Sequence, residues 1–309
     1  FVTSIAAVAA VKLIPESRSR AAGNVHWLGA LLLSGWLVAV LLAVSEAPTW
    51  GWGSGKTLGL IAFGVAIAVV WIWAENRAVH PLVDMTMMRL PGVWTTNLTA
   101  LLLGFGRYSA FVLIPQFVQT PRSTGYGYGA SVSQAGLYLV PTTIAMLIFS
   151  PIGGRLSSVV GSKVPLVAGT AVTLLSFVIL ALASAHWEIY VAAALLGIGI
   201  GFAFASLANL IVEAVRPDQT GVASGMNTIV RTIGGAVGAE VGASILAANV
   251  LKSGFPDKHG YTLTFALCAA VLGVGLLASL AVPGRKRAAA AEHRHGETST
   301  LAEAAPAVD

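Results

Sequence analysis

Eight long apolar stretches constrain this chain more than any other feature of its sequence. A hydrocarbon core about 30 Å thick needs about 20 apolar residues in a helix. Only helices or closed barrels can pair their backbone groups there. The sequence therefore predicts an all-α polytopic membrane protein. Its predicted spans are Trp27–Ser45, Thr57–Ala74, Thr96–Val118, Gln134–Ile152, Val164–Ala183, Ile189–Val212, Gly221–Asn249 and Tyr261–Val282.

The composition supports this class and argues against others. Hydrophobic residues make up 56% of the chain and charged residues 10%, against about 25% charged in soluble domains. Cys268 is the single cysteine, so no internal disulfide or cysteine-rich zinc site is expected. No nucleophile with a matching base stands out. We therefore predict a non-enzymatic protein without a metal or other cofactor.

The distribution of Lys and Arg between the stretches predicts the orientation. If the first linker is placed on the inside and successive loops alternate between inside and outside, twelve of the 18 basic residues lie inside and four outside. The other two, Arg107 and Arg231, lie within the stretches. Because cytoplasmic loops carry the excess of positive charge, the C-terminus is expected in the cytoplasm of a bacterial cell, beneath its inner (plasma) membrane. The net charge of +5 reflects this bias, so no nucleic-acid partner is predicted.

The pattern of stretches and charges divides the chain into six predicted segments. The first stretch of apolar residues, Phe1–Ile14, is too short to span a bilayer and looks like the end of a truncated helix from a preceding bundle. The last segment has lost its apolar periodicity and is predicted to be disordered. The segments are a helix end (1–14), a cytoplasmic linker (15–26), an inserted helix pair (27–74), a second cytoplasmic linker (75–95), a six-helix bundle (96–283) and a cytoplasmic tail (284–309).

Several short motifs, in this order and spacing, resemble those of a known transporter family. They are LIPESRSR (Leu13–Arg20), ENRAVHPLVDMTMMR (Glu75–Arg89), LIPQFVQ (Leu113–Gln119), GYGASVSQAGLYLVP (Gly127–Pro141), SPIGGRLSSVVGSK (Ser150–Lys163) and RPDQTGVASGMNTIVRTIGGAVG (Arg216–Gly238). The chain resembles the C-terminal part of a fourteen-helix drug:proton antiporter, of the EmrB/QacA type, in the major facilitator superfamily.

This resemblance implies two six-helix bundles that flank an inserted helix pair, with the N-terminal bundle missing from this chain. The motif SPIGGRLSSVVGSK (Ser150–Lys163) looks like a degenerate copy of the superfamily's cytoplasmic loop. Gly154, Arg155 and Gly161 match that loop and are candidates for gating, whereas Ser158 stands where the loop motif has Asp. The departure weakens a conformational-switch role for the loop.

Charged and polar side chains inside the stretches are the candidates for function. A charge at the centre of a bilayer costs about 2.5–3.5 kcal/mol on insertion scales, so it usually faces a cavity or a partner. Arg107 lies in the helix that lines the central cavity of the resembling fold; a structural ion pair is the alternative. Polar side chains such as Gln116 could equally bind substrate or join helices. The predicted cavity residues are Asn97, Arg107, Gln116, Gln119, Asn209 and Arg231.

The seventh stretch combines two charges with a ridge of small residues. Arg231 and Glu240 are nine residues apart, which places them on opposite faces of a helix. Glu240 is the candidate for proton coupling, because a low dielectric favours a neutral carboxyl group. The alternative is a fixed partner such as Arg107. The ridge predicts a close helix contact, with the other bundle as one candidate partner. It consists of Gly234, Gly238 and Gly242.

The resulting functional hypothesis is the C-terminal half of a proton-driven exporter of lipophilic or cationic drugs, which would confer antibiotic resistance by alternating access. Its expected partners are the lipid bilayer, protons, a drug-like substrate and the missing N-terminal bundle. Two alternatives stay open. One is a dedicated exporter of a single metabolite or antibiotic, and the other is a non-transporting membrane scaffold or sensor.

Overall fold

The computed structural model describes residues 26–78, 81, 83–251 and 253–284. Eight helices in these residues are long and apolar enough to cross a membrane, and the all-α fold class is confirmed. The membrane helices are α1 (Trp27–Trp50), α2 (Gly55–Arg77), α4 (Pro91–Gln119), α5 (Val132–Val160), α6 (Lys163–Leu182), α7 (His186–Ala214), α8 (Thr220–Ala248) and α9 (Lys258–Ala281). A single helical turn, α3 (Met85–Met88), precedes α4.

A reciprocal cap marks the start of α5, and a glycine follows its end. Ser131 and Gln134 form a reciprocal capping box at the start of α5, which satisfies two backbone N–H groups that have no partner within the helix. Helix α5 then continues to Val160, well past the predicted end at Ile152. It ends at Gly161, whose φ of 88° with ψ of 148° is a conformation almost exclusive to glycine.

Helices α4 to α9 form one bundle. Helix α7 packs between α5 and α6, while α4 contacts both α8 and α9, and α6 closes the bundle against α9. Large side chains such as Leu103, Phe177, Leu196 and Leu272 are fully buried in its core. The helices α7 and α6 approach closely, since a Cβ at Gly199 would collide with atoms of Thr173.

The α1–α2 hairpin packs against this bundle near both of its ends. At the loop end, the indole Nε1 of Trp52 donates a hydrogen bond of 2.8 Å to the Ser244 hydroxyl of α8. At the opposite end, Trp71 is 5% exposed and shares an apolar cluster with Val93 of α4, Ile211 of α7 and Met226 of α8. The hairpin is therefore attached to the bundle at both of its ends.

The second predicted linker, 75–95, differs from the structure at both of its limits. Helix α2 runs on to Arg77 and α4 begins at Pro91. Glu75 is only 2% exposed: its carboxylate lies 3.4 Å from His26 Nδ1 and accepts a backbone N–H bond from Val83. A charged residue at the end of an apolar stretch predicts solvent exposure, but these two partners allow burial. The predicted helix end at 1–14, the linker residues 15–25 and the tail residues 285–309 lie outside the described residues.

Candidate functional site

Two arginines from different helices meet on one aromatic ring. Arg231 of α8 places its guanidinium carbon 4.5 Å from the ring centre of Phe204, on α7. Arg107 of α4 places its own guanidinium carbon 5.3 Å from the same ring centre. The two guanidinium carbons thus lie within about 10 Å of each other, a separation at which charges of like sign repel by about 1–2 kcal/mol at an effective dielectric of 20.

Aromatic rings are the only charge-stabilising neighbours found for these arginines among the described residues. Arg107 also lies 5.4 Å from the ring of Tyr108 and 5.6 Å from that of Phe111. Cation–π contacts of this kind are worth about 0.5–2 kcal/mol each, depending on desolvation. The ion pairs found in the described part of the chain, His26–Glu75 and Arg216–Asp218, involve neither arginine.

The bundle has almost no carboxylates with which to neutralise this positive charge. Within the six helices α4 to α9, the acidic residues are Glu188 and Glu213 near the ends of α7, and Glu240 on α8. Glu188 accepts backbone N–H bonds from Ser184 and Ala185, and Glu213 accepts the Ser162 hydroxyl. The predicted alternative of an ion pair between Glu240 and Arg107 is not formed in the described structure.

Two glycines allow α4 and α8 to approach each other closely beside the arginines. A Cβ at Gly104 of α4 would collide with the carbonyl oxygen of Arg231, so the absence of a side chain lets α8 approach α4 at this residue. A Cβ at Gly235 would likewise collide with the ring of Tyr108. The close approach of α4 and α8 therefore fixes the backbone positions of Arg107 and Arg231.

Glu240 lies away from the arginines, on the part of α8 near the hairpin. Ser244, which receives the Trp52 hydrogen bond, is one turn beyond Glu240 and on the same face of the helix. Glu46 lies near the C-terminal end of α1, at the end of the hairpin that carries Trp52. Both glutamates are half-buried. Sequence reasoning missed Glu46 because it follows the last residue of the predicted first stretch.

The remaining predicted cavity residues fall into two groups. Asn97 is 6% exposed and its side-chain oxygen accepts a 2.9 Å hydrogen bond from Asn227 of α8, so it joins two helices instead of lining an open surface. Gln119 donates to the carbonyl oxygen of Pro115 in its own helix. Gln116 is exposed and Asn209 is half-buried, and both keep free polar atoms in the described structure.

The glycine ridge packs inside the bundle and not against a second bundle. Added Cβ atoms at Gly234 and Gly238 would collide with the carbonyl oxygens of Leu101 and Phe105, both on α4. An added Cβ at Gly242 would lie 3.2 Å from Thr264 of α9. The small residues are therefore matched to α4 and α9 of the same bundle.

The three residues of the predicted loop motif lie at the end of α5. Gly154 has open space around it, Arg155 is exposed, and Gly161 provides the special backbone conformation described above. The Arg155 carbonyl oxygen accepts a 2.7 Å bond from the Ser158 hydroxyl. These contacts are local to α5, so the structure gives the motif a helix-ending geometry.

A separate cavity of about 280 Å³ opens at the end of the bundle where α4 meets its loop. Tyr128 stacks on His186 with ring centres 3.6 Å apart, and Arg122 and Lys258 contribute positive charge to the lining. Burial raises the pKa values of the Tyr126 and Tyr128 hydroxyls. The hydroxyl of Tyr126, one of the lining residues, donates to the carbonyl oxygen of Pro256.

Comparison with known proteins identifies the family. The family model described as Major Facilitator Superfamily matches residues 1–239 and 96–306. The chain belongs to this superfamily. Its members are transporters and not enzymes, and the match confirms the resemblance stated from the sequence motifs.

Relatives within the superfamily include resistance and export proteins. The chain is 29% identical over 238 residues to multidrug resistance protein Stp of Mycobacterium tuberculosis, covering 76% of this chain and 43% of that protein. It is 27% identical over 257 residues to the tetracenomycin C resistance and export protein of Streptomyces glaucescens, covering 82% and 46%. The chain thus spans about half the length of these relatives.

The solved structures support the same superfamily fold. The nucleoside transporter NupG, as its D323A mutant, superposes with a TM-score of 0.57 and 12% sequence identity, covering 91% of this chain and 87% of that chain. At this identity the likeness concerns the fold alone. A transporter-like helix arrangement is therefore common to both chains, whereas the arginine pair has to be interpreted from this chain.

Proposed function

We propose that this chain forms one half of a drug exporter that works by alternating access. In this proposal α4 to α9 are the C-terminal bundle, α1 and α2 are the inserted pair, and a preceding bundle supplies the other wall of a central cavity. The observation that carries the proposal is the Arg107–Phe204–Arg231 cluster. Two charges near the middle of membrane helices are too costly to face lipid, so they mark a face that contacts water or a ligand.

The relatives support drug-like compounds as the transported class. Multidrug resistance proteins and exporters of single antibiotics both occur among them, so a dedicated exporter is the second candidate. The cephamycin export protein CmcT of Amycolatopsis lactamdurans, for example, is 30% identical over 280 residues. The scaffold or sensor alternative provides no reason for half-buried arginines without acidic partners.

We further propose that Glu240 takes up and releases the proton that drives export. Support comes from its half-buried position and from the absence of a basic partner within ion-pair distance in the described chain. A second carboxylate, Glu46, lies on α1 at the hairpin end where Trp52 contacts Ser244 of α8, and negative charges on the two glutamates would repel each other. Movement of α8 relative to α1 would change this repulsion and thereby the proton affinity.

The orientation of the exporter follows the charge bias of its loops. We place it in the bacterial cytoplasmic membrane, with the tail after α9 in the cytoplasm. The driving force is the proton gradient, and no cofactor is required. Cysteine labelling of Arg89 and Lys258 variants, at opposite ends of the bundle, tests this placement: Arg89→Cys should be reached only after the membrane is permeabilised.

Dye transport by the complete gene product tests the exporter function. In inside-out vesicles with an acidified interior, the wild type should accumulate at least one of a panel of fluorescent drugs, and an uncoupler should abolish the accumulation. Absence of accumulation across the panel would contradict the proposal.

The variant Glu240→Gln separates proton coupling from transport. It should retain downhill dye movement and lose accumulation against a gradient, because the amide cannot carry the proton. Glu213→Gln, which changes an exposed carboxylate of α7, is the matched control and should accumulate dye like the wild type. Full proton-driven accumulation by Glu240→Gln would remove Glu240 from the mechanism.

A further inference from the structure

We infer that the Arg107–Phe204–Arg231 cluster is a binding site for the anionic group of an amphipathic aromatic compound, an inference that rests on the proposed exporter function. The resemblance to drug antiporters predicts lipophilic or cationic substrates. The charge of this face argues instead for a compound that carries a carboxylate, phenolate or sulfonate group.

The first step of the argument is the missing counter-charge. Two guanidinium groups lie 5.3 and 4.5 Å from the centre of one ring, and no carboxylate of the described chain pairs with either. A cation approaching this face would meet two like charges in a medium of low dielectric. An anion would be attracted by both groups and would screen their mutual repulsion.

The second step is the chemistry of the two donors. A guanidinium group presents several N–H donors in a planar fork that matches the two oxygens of a carboxylate. Because their guanidinium carbons lie 5.3 and 4.5 Å from the same ring centre, an anion bound by one guanidinium group is also attracted by the other. A lysine pair at these positions would offer charge without this planar match.

The third step concerns the apolar part of the ligand. Phe204, Tyr108 and Phe111 surround the arginines, and Tyr108 is 39% exposed. Exposed aromatic faces next to a charged group bind flat aromatic bodies by stacking and by burial of apolar surface. The site thus combines an anion-binding fork with an aromatic platform, which fits an aromatic acid better than an inorganic anion.

Binding of two dyes that share one ring skeleton tests this inference. Fluorescein is an anionic xanthene and rhodamine 123 is a cationic one. Their affinities for the detergent-purified complete gene product can be measured by fluorescence anisotropy, without any need for transport. We expect tighter binding of fluorescein, by about tenfold or more, as for a charge-assisted contact.

Variants then locate the site. Arg107→Gln and Arg231→Gln should each weaken fluorescein binding about tenfold and leave rhodamine 123 binding unchanged or stronger. Arg107→Lys should restore part of the affinity, since it keeps the charge and loses the planar fork. Arg89→Gln, which removes an exposed arginine outside the bundle core, is the matched control and should bind fluorescein like the wild type.

Two results would overturn the inference. One is equal or weaker binding of fluorescein relative to rhodamine 123, as expected if an acidic side chain elsewhere in the gene product already neutralises the arginines. The other is fluorescein binding that Arg107→Gln and Arg231→Gln do not alter. These binding results are independent of the vesicle assay: loss of the anion site with intact dye export would refute only this inference, and absence of export would refute only the proposed function.

Discussion

Single residues decide how closely the helices of this bundle approach. Gly234 and Gly238 each face a carbonyl oxygen of α4, so that even a methyl group would force α4 and α8 apart. Asn97 and Asn227 add a buried hydrogen bond between the same two helices. The α4–α8 contact is therefore specified by the small size of its glycines and by one pair of hydrogen-bonded asparagines. This contact determines the positions of Arg107 and Arg231.

The variant Gly234→Ala should lower the free energy of unfolding by about 1–3 kcal/mol, the usual cost of overpacking. The matched control is Gly225→Ala on the same helix, where an added Cβ meets nothing within 4 Å. It should be neutral or stabilising by up to about 1 kcal/mol, because alanine favours helix over glycine. Thermal unfolding in detergent distinguishes the two, and equal midpoints would contradict the packing argument.

The variant Asn227→Ala should destabilise the bundle by about 1–3 kcal/mol, because it leaves the buried Asn97 side chain without the 2.9 Å bond seen here. The double variant Asn97→Leu with Asn227→Leu removes both polar groups together and should recover most of this loss. A double variant less stable than Asn227→Ala would show that shape, and not polarity, governs the contact.

At the scale of elements, a short cap connects the segment before α4 to the segment before α8. Asp84 accepts bonds from the Thr86 hydroxyl and from the backbone N–H groups of Thr86 and Met87, which begins α3. Its second oxygen accepts a 3.0 Å bond from Gln219. The Thr86 side-chain hydrogen bond, more than any other contact, lowers the pKa of the Asp84 carboxyl below 3.8.

The variant Asp84→Ala should therefore cost about 1 kcal/mol at neutral pH, as for other lost N-caps. Because the pKa is lowered in the folded state, the stabilisation is complete above the ordinary pKa of 3.8 and is lost as the pH falls through the lowered value. The difference in unfolding midpoint between wild type and Asp84→Ala should thus shrink in strong acid. Asp84→Asn, which retains a capping oxygen, should show a smaller deficit at neutral pH.

Much of the element scale could be predicted from the sequence, because membrane helices follow directly from apolar length. All eight spans were located, with α1 beginning at the predicted Trp27. The limits were less predictable, since Ser131 and Gln134 extend α5 by capping and Glu75 is buried by partners that lie elsewhere in the chain. Phe204 gave no signal at all, because an aromatic residue in an apolar stretch is typical of ordinary core packing.

At the scale of the whole molecule, the proposed function assigns one wall of a central cavity to this bundle and the other wall to a preceding bundle. Arg107 and Arg231 are half-buried, and in the proposed function the facing bundle completes their surroundings. The 309-residue chain, reconstituted alone in vesicles, should therefore show no uptake or efflux of fluorescein above protein-free vesicles. The complete gene product is the positive control, and transport by the chain alone would contradict the two-bundle proposal.

The attachment of the hairpin has a consequence for how such a protein can be shortened. Trp52 and Trp71 hold α1 and α2 against α8 at two levels, and Glu240 lies on the strip of α8 beside them. Deleting the hairpin would leave this carboxyl group bordering hydrocarbon chains, which disfavours it by several kcal/mol when charged. A descendant without α1 and α2 would have to replace Glu240 before it could discard them, so the hairpin cannot be lost by a simple deletion.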